Sequence, residues 1–385
     1  MTSPVLFNLL DTANAMKIGV ATLNSPQTLN GLSLDMCKLL NEQLQLWKDD
    51  DGIALVVING AGERAFCAGG DLHGLYKGIQ DNVSGLPWNN TYAREFFDVE
   101  YRLDYLIHTF PKPVVCWGNG IVMGGGVGLM MGASHRIVSE TTRFAMPEIS
   151  IGLFPDVGGT WMLSRLPGGT GLFLALTGAQ LGASDCRFLG LADYTLVSAA
   201  WNDFLAQAQA STWSASRTEN DVALNDLLKS MAPDASAPDV SPPDVSPPGP
   251  LERHYGLIRH SSDGPDFDAI CAQIKSWATN EDPWLKRAAA TFNAGSPGSA
   301  RLCFELLKRV RHMSLAEVFR QEYIVSLQCG VQGDFKEGIR ALLIDKDKQP
   351  KWNPASLEGA TQAWVQRFFE QPWPDSVTHP LADLA

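Results

Sequence analysis

An α/β fold followed by a helical C-terminal part is predicted by three features of the chain. It opens with strand, helix, strand; its short apolar strands run straight into glycine-dense turns; and helical periodicity returns after a proline-rich interruption. Met16 to Leu23 alternates apolar and small residues and reads as a strand, whereas Ile53 to Ile58 is a continuous aliphatic run that reads as a strand buried on both faces. Between them Ser33 is suited to cap a helix, whose Met36, Leu39, Leu40, Leu44 and Trp47 recur at spacings of three and four and make one apolar stripe. Pro113 to Trp117 is a further apolar strand, followed by the glycine-rich stretch Gly118 to Gly132 and the small strand Arg136 to Val138. After Val197 the character changes. The insert Ala232 to Pro250 carries an imperfect PDVSP repeat with almost nothing able to enter a core, a composition that favours an extended, polyproline-like or disordered excursion. Ser299 to Arg311 and Leu315 to Gln328 then return to helical spacing. The expected organisation is a core domain over 1–197 and a mainly helical region over 198–385 that includes the insert 232–250.

The composition narrows the function classes. With 30 Lys and Arg against 42 Asp and Glu in 385 residues, the formal charge is −12, and no stretch supplies the basic surface that nucleic acid requires. The 7 cysteines are scattered, odd in number and form no C-x-x-C pair, so neither a disulfide framework nor a zinc site is indicated. The 7 histidines form no H-E-x-x-H or comparable spacing, and no metal is expected. About 18 consecutive apolar residues, the length of a membrane span, occur nowhere. The first residues lack both a basic, apolar leader and an Arg-rich organelle address, which leads us to expect a cytoplasmic protein.

Three segments carry the chemistry. Ala65-Phe66-Cys67-Ala68-Gly69-Gly70-Asp71-Leu72 follows a buried strand and precedes a helix. Such a turn of small residues lets a ligand approach the backbone and leaves unpaired N–H groups that suit a developing oxyanion. Taken alone, it is equally well a plain tight turn. The stretch from Pro113 through Gly124-Gly125-Gly126-Val127-Gly128 repeats the device after another strand, so two N–H groups can be aimed at one carbonyl oxygen. A dinucleotide fingerprint fails because Gly118-x-Gly120 runs on to Met123 where the third glycine belongs, and both a Walker A sequence and a G-x-S-x-G elbow are missing. In the third segment, Phe144 to Thr160, Glu148 and Asp156 stand eight residues apart among apolar residues, Gly and Pro. A lone loop glutamate is ordinarily just solvated, but these surroundings desolvate a carboxyl group and raise its pKa.

Together these segments resemble the crotonase (enoyl-CoA hydratase/isomerase) superfamily, whose A-G-x-D turn, G-G-G turn and P-E segment occur here in the same order. The resemblance spans roughly Lys17 to Leu191. It implies a spiral of β-β-α units, with the backbone N–H groups of Gly70 and Gly125 as the oxyanion hole that grips a thioester oxygen. Hydratases of the superfamily place a second glutamate on the helix after the triple glycine, where this chain has Gly128. The chain instead resembles the 3-hydroxyisobutyryl-CoA hydrolase subfamily, through Gly124–Gly128, Met146-Pro147-Glu148, Gly152–Gly159, Gly333–Ala341, Leu343–Asp347 and Pro350-Lys351-Trp352. That resemblance implies Glu148 and Asp156 as catalytic, and Glu100, Gly125, Glu148 and Asp156 as substrate-binding. One departure concerns the loop Leu23 to Asn30, where Ser25 and Gln27 replace basic residues that many members carry near coenzyme A.

The implied chemistry is hydrolysis of 3-hydroxyisobutyryl-CoA, as in valine catabolism. Glu148 either attacks the thioester or deprotonates water, Asp156 positions the water or shares the proton, and Glu100 accepts a hydrogen bond from the substrate hydroxyl. Coenzyme A is part of the substrate, and no separate cofactor is expected. Two other readings stay open at this point: an enoyl-CoA hydratase or isomerase, and an acyl-CoA-binding protein without catalysis. Members of the superfamily often assemble as trimers or hexamers, so a homo-oligomer is compatible with the resemblance.

Overall fold

The computed structural model describes residues 3–232 and 247–385, so most of the proline-rich insert lies outside the described residues. Two compact units interleave along the chain. The first is Met1–Gly70, Leu106–Phe144 and Leu181–Arg253; the second is Asp71–Tyr105, Ala145–Gln180 and His254–Ala385. Neither follows the 197/198 boundary expected from composition, because the residues a core brings together are set by sheet pairing rather than by contiguity in the chain.

The first unit is built on a six-stranded sheet in the order β1-β2-β3-β5-β7-β9. Its strands are β1 (Val5–Asp11), β2 (Lys17–Leu23), β3 (Ile53–Gly60), β5 (Val114–Gly118), β7 (His135–Val138) and β9 (Tyr194–Thr195). All pairings are parallel except β1 with β2, which runs antiparallel from Val5 opposite Leu23 to Asp11 opposite Lys17. The aliphatic run of β3 is buried from Ile53 to Asn59, as a central parallel strand covered on both faces requires. Ser33 caps the helix Leu34–Asp49, accepting from the Met36 N–H, and Met36, Leu40, Leu44 and Trp47 are buried as the stripe predicts.

On this sheet Ile18, Val20, Leu55, Val57, Val115, Trp117 and Ile137 form one apolar cluster with Phe204, Trp213, Leu224 and Leu228. The last four come from the helices Trp201–Ala210 and Arg217–Met231 and the turn joining them. Trp117 meets Trp201 edge-on at 5.2 Å and stacks on Phe204 at 5.8 Å. Helical sequence beyond residue 197 thus splits between the units, 201–231 completing the first core.

A smaller sheet has the order β4-β6-β8, with β4 (Ala65–Cys67), β6 (Ile121–Met123) and β8 (Arg143–Ala145). Together the two sheets reveal a repeat. Three times a strand of the large sheet is followed by one of the small sheet and then by a helical segment: β3, β4 and Leu72–Asp81; β5, β6 and Gly125–Gly132; β7, β8 and the 3₁₀ turn Glu148–Ile151. This is the expected spiral of β-β-α units. Each chemistry-bearing segment of the sequence falls at the same place in its repeat, the junction between second strand and helix.

The second unit is mainly helical. Helix Thr91–His108, which crosses out of it after Tyr105, is accompanied by Pro283–Ala294, Pro297–Val310 and Leu315–Gln332. Ser296 caps a helix that begins at Pro297, two residues before the predicted start; proline at the first position loses only an N–H the helix leaves unpaired anyway. Ser314 and Glu317 form a reciprocal capping box at the start of Leu315–Gln332.

Candidate active site

Within the first unit, the turns carrying Gly70 and Gly125 lie side by side. Gly70 pairs with Leu32 in an isolated parallel bridge, and the Leu32 N–H donates to the Gly69 carbonyl at 2.8 Å. At the second turn Gly124 adopts φ 51°, ψ −123°, a backbone conformation open to glycine, and Gly125 begins the helix. A Cβ on Gly126 would stand 2.4 Å from the Cys67 carbonyl oxygen, so glycine there lets the helix start rest on the end of β4. Gly125 is therefore a buried first-turn residue, where helical N–H groups have no partner inside the helix.

Within the second unit, Glu148 and Asp156 are both buried. Glu148 opens the 3₁₀ turn Glu148–Ile151, and this turn is braced by the segment from Gly333 to Ala341. The Ser296 N–H donates to the Ile149 carbonyl at 3.0 Å, and the Ser296 hydroxyl donates to Asp334 at 2.7 Å. A Cβ on Gly338 would lie 2.3 Å from the Ile151 carbonyl, which is how closely the helix Phe335–Ile339 approaches. Beyond it Arg340 is clasped by Glu337 at 2.8 Å, Asp345 at 2.6 Å and Asp347 at 2.7 Å. The C-terminal motifs thus support the glutamate's turn.

Burial pushes the Glu148 carboxyl well above the usual carboxylate range, and the neighbouring Asp156 charge adds to it. Its Oε2 is buried with no hydrogen-bond partner among the described residues. Asp156 is also raised by burial, to about 6, against the opposing hydrogen bond from the Tyr101 hydroxyl, which donates to Oδ2 at 2.7 Å. Glu100 is buried in the same neighbourhood and is raised by burial and then by Asp156.

Sequence reasoning missed Tyr101, Asp104, Glu322 and Ser326. Asp104 is fully buried with both oxygens unpartnered among the described residues, and is raised by burial and then by Glu100, Asp156 and Glu322. The Glu322 carboxylate accepts from the Gly158 N–H at 2.8 Å, the Thr160 N–H at 3.1 Å and the Thr160 hydroxyl, clamping the turn that follows Asp156; burial pushes it up to about 8. Glu100 and Asp104 lie four apart on one helix face, a spacing visible in the sequence. Glu322 and Ser326 are likewise four apart on Leu315–Gln332, a spacing that by itself does not mark them in an ordinary helical sequence.

This cluster dictates a pH response of stability. Asp156 and Glu322 hold protons in the native state at pH values where the unfolded chain has released them, so their stabilising contribution is complete below about pH 4 and is lost as pH rises through about 6 and 8. Below about pH 6.5 histidines lowered by desolvation oppose this, the half-buried His108 being brought to about 4. The clean window is about pH 6.5 to 8, where the histidines are neutral and Glu322 still holds its proton. There stability is expected to fall with pH, by up to about 1.4 kcal/mol per pH unit for each proton held only by the native state. Thermal denaturation across that window checks this, and a flat or rising profile contradicts it.

Among the described residues no group of three or more His, Cys, Asp or Glu is placed to hold a metal ion, and no helix is long and apolar enough to cross a membrane.

Comparison with known proteins agrees with this arrangement of repeats. Residues 18–369 match the family model described as enoyl-CoA hydratase/isomerase. The chain belongs to that family. Relatives include mitochondrial 3-hydroxyisobutyryl-CoA hydrolases from Xenopus tropicalis, 38% identical over 91% of this chain and 86% of that protein, and from Dictyostelium discoideum, 35% identical over 90% and 88%. Among solved structures, a carnitinyl-CoA dehydratase from Mycobacterium thermoresistibile superposes with a TM-score of 0.81 at 33% identity, covering 97% of this chain and 98% of its own. An enoyl-CoA hydratase from Rhodobacter sphaeroides 2.4.1 gives 0.78 at 33%, covering 95% and 97%. The family's fold is therefore the one predicted.

The cytoplasmic location is corrected by the same comparison, because the hydrolase relatives are named as mitochondrial proteins and point to that compartment. A compartment is read by receptors from a short address and leaves no imprint on charge or core composition. The cytoplasmic expectation rested on the first residues showing neither a leader nor an Arg-rich address, and that absence does not report the compartment.

Proposed function

We propose that the chain hydrolyses 3-hydroxyisobutyryl-CoA, and related 3-hydroxyacyl thioesters, to the free hydroxy acid and coenzyme A, a step of valine degradation. The observation that carries this reading is the pair Glu148 and Asp156, both buried and each within the other's electrostatic reach, on a chain 35–38% identical to hydrolases of that name over about nine-tenths of its length.

In this reading the thioester oxygen takes hydrogen bonds from the backbone N–H groups of Gly70 and Gly125, which strengthen as it becomes an oxyanion. Glu148, as the carboxylate, either attacks the carbonyl carbon and expels the coenzyme A thiolate, leaving a mixed anhydride that water then cleaves, or draws the proton from a water that attacks the carbonyl and displaces the thiolate directly. Asp156 positions the water and shares the proton with Glu148, both carboxyls being raised by burial. Glu100 accepts the hydrogen bond of the substrate's 3-hydroxyl. No cofactor is needed beyond the coenzyme A that the substrate brings.

A hydratase reading is favoured by the solved structures described as hydratase and dehydratase. It is disfavoured by Gly128, which occupies the fourth position of the helix Gly125–Gly132 and offers no carboxyl for a two-acid addition of water. Purified protein is expected to release free thiol from 3-hydroxyisobutyryl-CoA and 3-hydroxybutyryl-CoA at least about 10²-fold faster than from isobutyryl-CoA, the discrimination a buried hydrogen-bonding group supplies. Hydration of crotonyl-CoA without thiol release overturns the proposal in favour of the hydratase.

A further inference from the structure

We propose that Tyr101 is a positioning residue whose hydroxyl, itself oriented by Ser326, holds Asp156 in the charged form and so decides which of the two catalytic carboxyls carries the proton. The inference deepens the hydrolase reading and rests on it for the catalytic role of Asp156.

The geometry is a short donor chain inside the second unit. Tyr101 is fully buried, and its Oη lies 2.7 Å from Asp156 Oδ2 and 2.7 Å from Ser326 Oγ. A phenol has one proton. A carboxylate can only accept, so that proton goes to Asp156, and the Ser326 hydroxyl is left to donate to Oη. The chain Ser326 to Tyr101 to Asp156 is thereby directed, with each link delivering a hydrogen to the next oxygen.

Its position is fixed by packing. The Tyr101 ring lies 5.6 Å from Phe97 and 5.7 Å from Phe319, and Phe319 stands on the same helix, Leu315–Gln332, that supplies Ser326. Burial and the surrounding negative charges also push the phenol well above its ordinary value, so it stays a donor throughout the working pH range.

The contrast with Glu148 gives the chain its consequence. The groups facing Asp156 are Glu100 and Asp104 on helix Thr91–His108, Glu148 on its 3₁₀ turn, and Glu322 and Cys329 on helix Leu315–Gln332, each of which is pushed up by the negative charge of Asp156. Asp156 has a charge-stabilising hydroxyl, whereas Glu148 Oε2 has no partner among the described residues. A buried carboxyl with a donor ionises before one without. In the resting protein Asp156 is therefore the carboxylate and Glu148 holds the proton, ready to pass it to Asp156 when Glu148 is needed as base or nucleophile.

The test follows Asp156 directly, by carboxyl-carbon NMR titration of aspartate-labelled protein, the resonance being assigned by its loss in Asp156→Asn. Tyr101→Phe keeps the ring and removes the donor, and is expected to move the Asp156 titration upward from about 6 by about one pH unit. Ser326→Ala leaves the donor but unpins it, and is expected to move the titration the same way by less; it also serves if the Tyr101 variant fails to fold. An Asp156 titration that stays in place in either folded variant overturns the inference. This readout needs no turnover: if wild-type protein releases no thiol, the hydrolase reading fails while the titration still decides the role of Tyr101. In an active enzyme, the acid limb of kcat is expected to move upward with the titration, lowering the rate about tenfold on the acid side and restoring it at higher pH. Loss of packing alone would lower the rate equally at every pH.

Discussion

Replacing Glu148 by glutamine is expected to lower thioester hydrolysis by at least about 10³-fold, the scale on which a positioned acid–base group contributes, with covalent attack removed as well if that is the route. The side chain is buried, and the amide is nearly isosteric with the carboxyl, so the change removes the ionisable group while keeping the shape. It should leave the fold intact. Burial already favours the neutral form, and glutamine abolishes the repulsion between Glu148 and Asp156 that raises the carboxyl. The turn itself is held by contacts that do not involve the carboxyl, from the Ser296 N–H to the Ile149 carbonyl and from the Leu153 N–H to the Glu148 carbonyl at 3.1 Å. Thiol release measured beside the melting temperature separates the two effects. Turnover within tenfold of wild type, in a folded variant, would exclude both attack by Glu148 and general-base catalysis by it.

The framework of this fold was legible where a segment obeys one strong rule. The β3 run of aliphatic residues, the Ser33 cap with its apolar stripe, and the helices around Ser299 and Leu315 each satisfy burial and local propensity together. Strand β1 was missed because it is an edge strand with Leu6 and Leu9 both exposed, so its sequence shows no alternation to read. The three-residue strands β4 and β8 are too short to carry any periodicity; the repeat they complete emerges only once the sheets are assembled.

At the candidate site the same division holds for a different reason. Gly70, Gly125, Glu148 and Asp156 lie at junctions that motif order marks, and Glu100 came from the resemblance. The surroundings that set the carboxyls' protonation come from Tyr101, Asp104, Glu322 and Ser326, which sit inside ordinary helical sequence. Tyr101 and Asp156 are 55 residues apart, and Tyr101 and Ser326 are 225 apart, separations at which one sequence carries no pairing information. A buried glutamate such as Glu322 is recognisable only from the N–H groups that satisfy it.

Valine at Gly125 is expected to cost at least about 10²-fold in kcat, the loss typical of one oxyanion donor. Gly125 is the first residue of its helix and is buried, and on either side the backbone is committed. Gly124 holds φ 51° and ψ −123°, and Gly126 leaves no room for a Cβ against the Cys67 carbonyl. A branched side chain between them is expected to rotate or shift the helix start and so to re-aim the N–H group assigned to the thioester oxygen. Because that interaction strengthens in the transition state, kcat should fall more than the affinity for acyl-CoA. Steady-state kinetics with 3-hydroxyisobutyryl-CoA, together with binding of a non-hydrolysed thioether analogue, distinguish the cases. A selective loss of kcat with binding kept within a few-fold is the behaviour of a displaced oxyanion donor. Equal loss of both would mean that the helix start shapes the substrate pocket as a whole, and a folded variant with retained turnover would remove Gly125 from the oxyanion hole.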